Sequence, residues 1–554
     1  MTILFEEYPY ETTYLATLLP ERYYWPISPT HSKIPFVGYC HAQQQAVVIL
    51  PKVFLHQGHF LGDYSPDDLR QLPERPDLRQ KLKTEQRLDF LFTMSTWLYL
   101  AIRQFQRLHP DNDITEATGL PTIVGTTDQQ AATELDWVLS LLRFFRDNQS
   151  LLTFLKKRSM SQRGKTDWNR TVSRQLPIID ANGRPVYIRT DTKQQAVNID
   201  EELIVLFLVV LEELQKRYYL RINLPDVYRL PTGPERRTLL NNGLRRLRQI
   251  RYKYFSDRLL QLWNLLWGYF SYQEHVASGR QQPEVTLARD FNRVFEDMID
   301  GLLSERSALD RFKVQKDGKE LDHIYDYQDL LATDHIYYIG DSKYYKDTTK
   351  LGRESIHKQY TYAKNVIQYN IDLLNRDQLA HPLRYRDDLT EGYNPTPNFF
   401  ISAVVDDQLT WTQAGLTFNG SIEPPNQHFS DRLFDRDTLL LQTYNINFLY
   451  VLSTYVSDNR TEKQQFQERT RQLFRTKLTS YLQEHYKFYK VKPQTGTLED
   501  FVTQHFKTLL GKMYRPSDFT DALLIALPNS FSDAWFDQFD TIDVKRWNLS
   551  SVII

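Results

Sequence analysis

Residues 335–345 read HIYYIGDSKYY, an apolar run that ends in an acid and a lysine two positions apart. In a strand, positions i and i+2 project from the same face, so Asp341 and Lys343 share one. The run Ile336–Ile339 has the character of an interior strand rather than an edge, and charge carried into an interior needs a partner or a task. On its own the stretch leaves two readings open. One is an ion pair on a solvated face; the other is half of a metal-dependent site.

The flanking sequence narrows the choice. Upstream, LARDFNRVFEDMIDGLL (287–303) has the spacing of an amphipathic helix, with Phe291, Val294, Phe295, Met298 and Leu302 on one side and Glu296 beside that apolar face. RFKVQKDGKELDHIYDY (311–327) follows and predicts two short strands joined at Asp317-Gly318. The second of these carries Asp322, Ile324 and Asp326 on one face. After HIYYIGDSKYY comes a long helical pattern, RESIHKQYTYAKNVIQYNIDLL (353–374), with an apolar stripe from Ile356 to Leu374.

The predicted order is helix with Glu, strand, strand with Asp, strand with Asp-x-Lys, helix. Phosphodiester hydrolysis needs a nucleophilic water and neutralisation of the charge that builds on the phosphate. A hard divalent ion serves both needs and takes oxygen ligands from one or two carboxylates plus water. Asp322 and Asp341 on neighbouring strands could be those ligands, with Asp326 as the alternative to Asp322. Lys343 could orient the water and stabilise developing negative charge. Glu296 either joins the metal site or solvates a helix edge. His323, His335 and His357 read as structural or surface groups.

The order Glu296, Asp322, Asp341-Ser342-Lys343 resembles the PD-(D/E)xK nuclease fold, an αβββαβ core. Leu321 stands where that pattern usually has proline, and Gln359 and Tyr362 in KQYTYA (358–363) are similar to its Q-x-x-Y element. These two are also i, i+3 neighbours that could simply pack between helix and sheet. More narrowly, four segments resemble the McrC-like, LlaJI-type endonuclease subunits of two-component restriction systems. They are VGYC…VVILPKVF (with Gly38, Pro51 and Lys52), RGKTDWNRTV (163–172), the nuclease block, and HFSDRLFDRDTLLLQTYNINFLYVLSTY (428–455). The resemblance implies a Mg²⁺- or Mn²⁺-dependent endonuclease acting on double-stranded DNA. It further implies docking on a hexameric McrB-like AAA+ GTPase, stimulation of that GTPase, and a role in antiviral defence.

The rest of the chain sets the frame. Its 554 residues exceed one hydrophobic core, so roughly three or four domains are expected. The boundaries fall in turn-rich stretches at GLPTIVGTTD (119–128) and SGRQQPEV (278–285). They divide the chain into a β-containing docking domain (1–125), a mostly helical domain (126–280), the nuclease domain (281–410) and a mostly helical C-terminal extension (411–554). The expected class is multidomain α/β plus α, a restriction-endonuclease-like core with helical and small β-containing flanks. In the first domain, IPFVGYC and AVVILPKVFL around a short polar link predict a hairpin.

Net charge is −1, so any polyanion surface must be local. The basic run from Arg236 to Tyr254 is the candidate, with Arg245, Arg248 and Lys253 reaching phosphates. The competing reading is a solvated helix with Leu244, Leu247 and Ile250 inward. Arg163-Gly-Lys-Thr166 is no P-loop, because Ser159 stands where the first glycine is needed. A nucleotide site would therefore belong to a partner. One cysteine, Cys40, excludes an internal disulfide and a Cys-based zinc site. With no long apolar segment and no basic, apolar leader at MTILFEEYPYE, the expectation is a cytoplasmic protein without a membrane span. Two rivals stay open: a self-sufficient nuclease that reads its own site, and a non-catalytic activator of the motor.

Overall fold

The computed structural model describes the chain except residues 43–44, 61–63, 118–132, 154, 160–164, 197–200, 219, 279–283, 305–308, 316–319, 346–350, 379–382, 406–408, 423–430, 458, 540 and 550–554. The expected boundary at 119–128 and the Asp317-Gly318 turn lie outside the described residues, as does part of the 278–285 boundary.

The molecule is mixed α/β, with several sheets and many helices. The first sheet begins with β1 (Thr2–Phe5), then β2 (Phe36–Ala42) and β3 (Gln45–Leu50). The last two form the expected antiparallel hairpin, with Tyr39 opposite Val48 and Cys40 opposite Val47. Pro51 then ends β3, since it has no N–H for a ladder, and Lys52–Phe54 form one 3₁₀ turn. The helix α1 (Arg87–Leu108) covers this sheet through Leu98, Tyr99 and Ile102, all buried. A short strand, β4 (Thr115–Ala117), follows.

Four helices make a second layer: α2 (Glu134–Asp147), α3 (Glu202–Tyr218), α4 (Gly243–Ile250) and α5 (Asp257–Ala277). Every residue of the run LIVLFLVVL except the partly buried Val205 is interior in α3, as its near-uniform hydrophobicity demands. Next comes β5 (Glu284–Arg289), which pairs antiparallel with β2 and with β4. The first sheet therefore runs β1-β3-β2-β5-β4 and includes residues that sequence patterning assigns to the nuclease section. Gly38 makes this pairing possible. Its φ is +137°, and a Cβ there would stand 2.1 Å from the Thr286 carbonyl oxygen.

A break at Asp290 separates β5 from α6 (Phe291–Leu303), so the apolar stretch 287–303 is strand, then helix. Where a first strand of the nuclease block is expected, Asp310–Lys313 form one helical turn, and among the described residues of that stretch only Val314 and Glu320 make a bridge. The second sheet is built from β6 (His323–Gln328), β7 (His335–Lys343), β8 (Thr396–Val404), β9 (Thr417–Ile422) and β10 (Leu439–Asn447), in the order β6-β7-β8-β10-β9. β6 and β7 are antiparallel; β7, β8 and β10 are parallel. Parallel neighbours need a crossover, and α7 (Arg353–Asn375) is the one between β7 and β8. The sheet does not stop at residue 410. Parallel pairing of β10 with β8 joins strands far apart in sequence, which no local pattern reveals.

The C-terminal part is not only helical. After α8 (Phe448–Val456) and α9 (Arg460–His485), a four-stranded antiparallel sheet forms from Tyr486–Pro493, Met513–Tyr514, Leu523–Pro528 and Ile542–Trp547. Its strands are short, and their apolar runs fall below the length at which periodicity distinguishes strand from helix.

The main core is continuous from the first sheet through the helical layer to the second sheet. Phe448 of α8 ties the parts together, its ring 5.5 Å from Phe54 and 5.9 Å from Phe295. Tyr344, just past β7, donates to the buried carboxylate of Glu6 at 2.6 Å, and the Lys52 backbone N–H donates to the same group at 3.1 Å. The turn after β3 is thereby fastened to the exit of the strand that carries Asp341. Among the described residues no helix is long and apolar enough to cross a membrane.

Candidate functional site

The C-terminal end of β7 brings together Glu296, Asp322, Asp341 and Lys343. Asp341 lies opposite Phe400 in the parallel pairing with β8, and Lys343 opposite Ser402. Both charged side chains are largely buried, 9% and 12% exposed, and they form an ion pair with each other. The Lys343 ammonium also sits 5.2 Å from the centre of the Phe400 ring. The low exposure of both side chains argues against the solvated-face reading of this Asp-x-Lys.

Asp322 stands just ahead of β6 rather than within it. Its carboxylate accepts the Ser342 backbone N–H at 2.9 Å, which fixes it beside the Asp341 strand. Asp326 is at the other end of the hairpin, where its half-exposed carboxylate faces His335 at 3.7 Å. The β6–β7 register explains the difference: His323 is opposite Gly340, whereas Asp326 is opposite Tyr337, four residues before Asp341.

Electrostatics couples the three acids. Burial, opposed by an Asn292 hydrogen bond and reinforced by the Asp341 charge, pushes the Glu296 carboxyl up to about 7. Burial, then the charges of Glu296 and Asp341, hold Asp322 well above the usual carboxylate range. Like charges at close quarters in a poorly solvated site resist joint ionisation, and the one lysine paired to Asp341 does not neutralise them all. Asp341 Oδ2 is buried and, beyond the Lys343 ion pair, has no hydrogen-bond partner among the described residues.

This donor set suits a hard cation. Among the described residues no three Asp, Glu, His or Cys side chains form a ready cage. Mg²⁺ does not need one, since it keeps several waters and takes one or two carboxylates.

Gln359 and Tyr362 are both buried on α7. Gln359 donates to the Ile339 carbonyl at 3.0 Å and to Asn398 at 3.2 Å, so it pins the helix across β7 and β8. Lys358, its neighbour, belongs to the site's electrostatics although sequence reasoning gave it no role. Burial opposes its charge, but the Tyr362 hydroxyl and the Asp341 and Asp322 carboxylates raise its affinity for the proton. The only sequence signal for it was its place in KQYTYA.

Arg245, Arg248 and Lys253 lie elsewhere, on and just after α4, which packs against α3 and α5. Leu247 and Ile250 are buried and Leu244 partly so. Lys253 faces Glu202 at 3.5 Å, and the Arg248 guanidinium stands 5.7 Å from the Trp267 ring. Arg245 lines a cleft of about 800 Å³ with Arg229, Arg246 and Glu235.

No curated protein matches the chain. A solved structure, the half-complex from a tetradecameric assembly of Thermococcus gammatolerans McrB AAA+ hexamers with bound McrC, matches at 11% identity. The match covers 85% of this chain and 99% of that one, but its TM-score of 0.27 is too low to bear on architecture or partner. The LlaJI restriction endonuclease family matches residues 83–404, more than half of the sequence and the whole stretch from Glu296 through Lys358. The chain belongs to the LlaJI restriction endonuclease family.

Proposed function

We propose that the chain is a Mg²⁺-dependent (or Mn²⁺-dependent) DNA endonuclease with a PD-(D/E)xK core, acting as the nuclease subunit of a nucleotide-driven restriction system. The observation that carries this reading is the meeting of Glu296, Asp322 and Asp341 with one lysine at the buried end of β7. Helix α6, strands β6 and β7, helix α7 and strand β8 have the order of that core from its second strand on. At the place of the first strand the described residues form only the isolated Val314–Glu320 bridge.

Asp322 and Asp341 would hold the ion, and Glu296 would contribute a third oxygen donor. When bound, the ion supplies charge neutralisation at the phosphate and a more acidic water. Lys343, held by Asp341, orients the attacking water and offsets negative charge that develops on the phosphate. Lys358 adds a second positive charge toward the phosphodiester. The partner in this reading is a hexameric AAA+ GTPase; support for it is the sequence resemblance and the family's restriction chemistry.

Supercoiled-plasmid cleavage by the purified chain with Mg²⁺ tests the proposal. It is run alone and, where a P-loop GTPase is encoded beside the gene, with that protein plus GTP, using wild type, Asp341→Ala and Lys343→Ala. Cleavage that needs both partner and metal and disappears in both variants is the expected result. Cleavage by the chain alone would make it a self-sufficient nuclease. Acceleration of GTP hydrolysis with no cleavage in any condition would leave it a non-catalytic activator and overturn the proposal.

A further inference from the structure

Ser342 lies between the two charged residues of the site and points the other way, because side chains alternate along a strand. Its Oγ is 2.6 Å from Nε2 of His323, a fully buried imidazole. On the other side of the ring, Nδ1 is 3.4 Å from Asp300 Oδ1. Asp300 is ion-paired with Lys313 at 2.7 Å, and Lys313 donates to the Asp322 carbonyl at 3.2 Å. The Ser342 backbone N–H, in turn, donates to the Asp322 carboxylate. The contacts close a circuit: Ser342, His323, Asp300, Lys313, Asp322, and back to Ser342.

The imidazole is also held in its plane. Phe399 of β8 stacks on it at 6.3 Å with an interplanar angle of 6°. Phe399 fits because residue 340 is glycine: a Cβ there would come within 2.0 Å of the ring. A fully buried imidazole is costly unless both nitrogens are satisfied. Here they are, by one group on α6 and one on β7. Simple packing at position 323 would be served by an apolar residue at less cost. What the histidine adds is a fixed distance between α6, which carries Glu296, and the residue that separates Asp341 from Lys343.

We infer that Ser342, His323 and Asp300 form a positioning relay that sets the relative placement of the Asp322 and Asp341 carboxylates for a divalent ion. The inference rests on the metal-dependent reading above. Groups that orient ligands from behind typically alter metal affinity about 10–100-fold when removed.

Binding of Mn²⁺ to the full-length chain, measured by loss of the free-ion paramagnetic resonance signal, tests the relay without relying on cleavage. Wild type, Ser342→Ala, Ser342→Thr and Asp341→Ala are compared, with thermal melts to verify folding. The expected result is that Ser342→Ala weakens Mn²⁺ about 10-fold, while Ser342→Thr, which keeps the hydroxyl, returns to within about 3-fold of wild type. If Ser342→Ala lowers only the melting temperature and binds Mn²⁺ like wild type, the relay is a brace and the inference is wrong. If wild type and Asp341→Ala bind equally poorly, the metal-dependent reading itself fails, and the relay falls with it.

Discussion

Asp341 with Lys343, and Arg245 with Arg248 and Lys253, are both charge clusters next to apolar runs, yet the fold treats them differently. Around α4 the charges stay near the surface and find single partners: Lys253 has Glu202, and Arg248 has the face of Trp267. Such pairings solvate a helix and add little energy. At the end of β7 the charges are interior, and the acids outnumber the lysine that faces them directly. A fold that only needed stability would avoid this arrangement, because buried like charges cost more than apolar side chains of the same size. Charge in a sequence therefore carries little functional information until burial and pairing are known.

Substitutions at the two places should therefore differ most in cleavage. Asp341→Ala or Lys343→Ala should lower the single-turnover rate by about 10²–10³-fold or more, whereas Arg245→Ala with Arg248→Ala should leave it within about 3-fold. Comparable losses at both would erase the distinction. Within the hairpin, Asp322→Asn should cost about 10²-fold and Asp326→Asn less than about 2-fold, since only Asp322 is held beside β7. Equal effects would mean that both acids serve the site.

The pH dependence of stability sharpens the same contrast. A carboxyl raised in the folded state keeps its proton while the unfolded chain loses its own. The contribution of Glu296 is therefore full below about 4.5 and is lost as pH rises toward about 7. Metal-free protein should lose stability across that window, on the order of 1–3 kcal/mol, and Glu296→Gln should flatten the loss. Chemical denaturation at pH 5 and pH 8 checks this, and an unchanged slope in the variant would contradict it. The smallest effect is expected at the basic helix. Replacing Arg245, Arg248 and Lys253 together should change the log–log salt slope of DNA binding by less than the ~0.9 that each neutralised phosphate contributes.

Much of this was legible from residue order. The β2–β3 hairpin, α6 and α7 follow from period-2 or period-3.6 patterns, which report burial directly. That Asp341 and Lys343 share a face followed from strand alternation, whereas the sequence left open whether Glu296 joins them and whether Asp322 or Asp326 does; the β6–β7 register places Asp322 there. Other features depend on pairing between distant segments. Residues 284–285 read as a turn-rich boundary and 287–289 as the start of a helix until β2 and β4 provide the strand with partners. β10 joins the second sheet through parallel pairing, and the C-terminal sheet arises from runs too short to classify. The His323–Ser342 hydrogen bond was hidden for the same reason. A histidine next to an aspartate looks like a surface group until its register places it against the interior of β7.

The most direct test of the central claim is anomalous scattering from crystals of the full chain grown with Mn²⁺. The account predicts a peak between the Asp322 and Asp341 carboxylates, at roughly the 2.0–2.2 Å ligand distance of a small divalent ion, that disappears in Asp341→Ala. A peak at Asp326 and His335 instead, or none near the end of β7 at a saturating Mn²⁺ concentration, would contradict it.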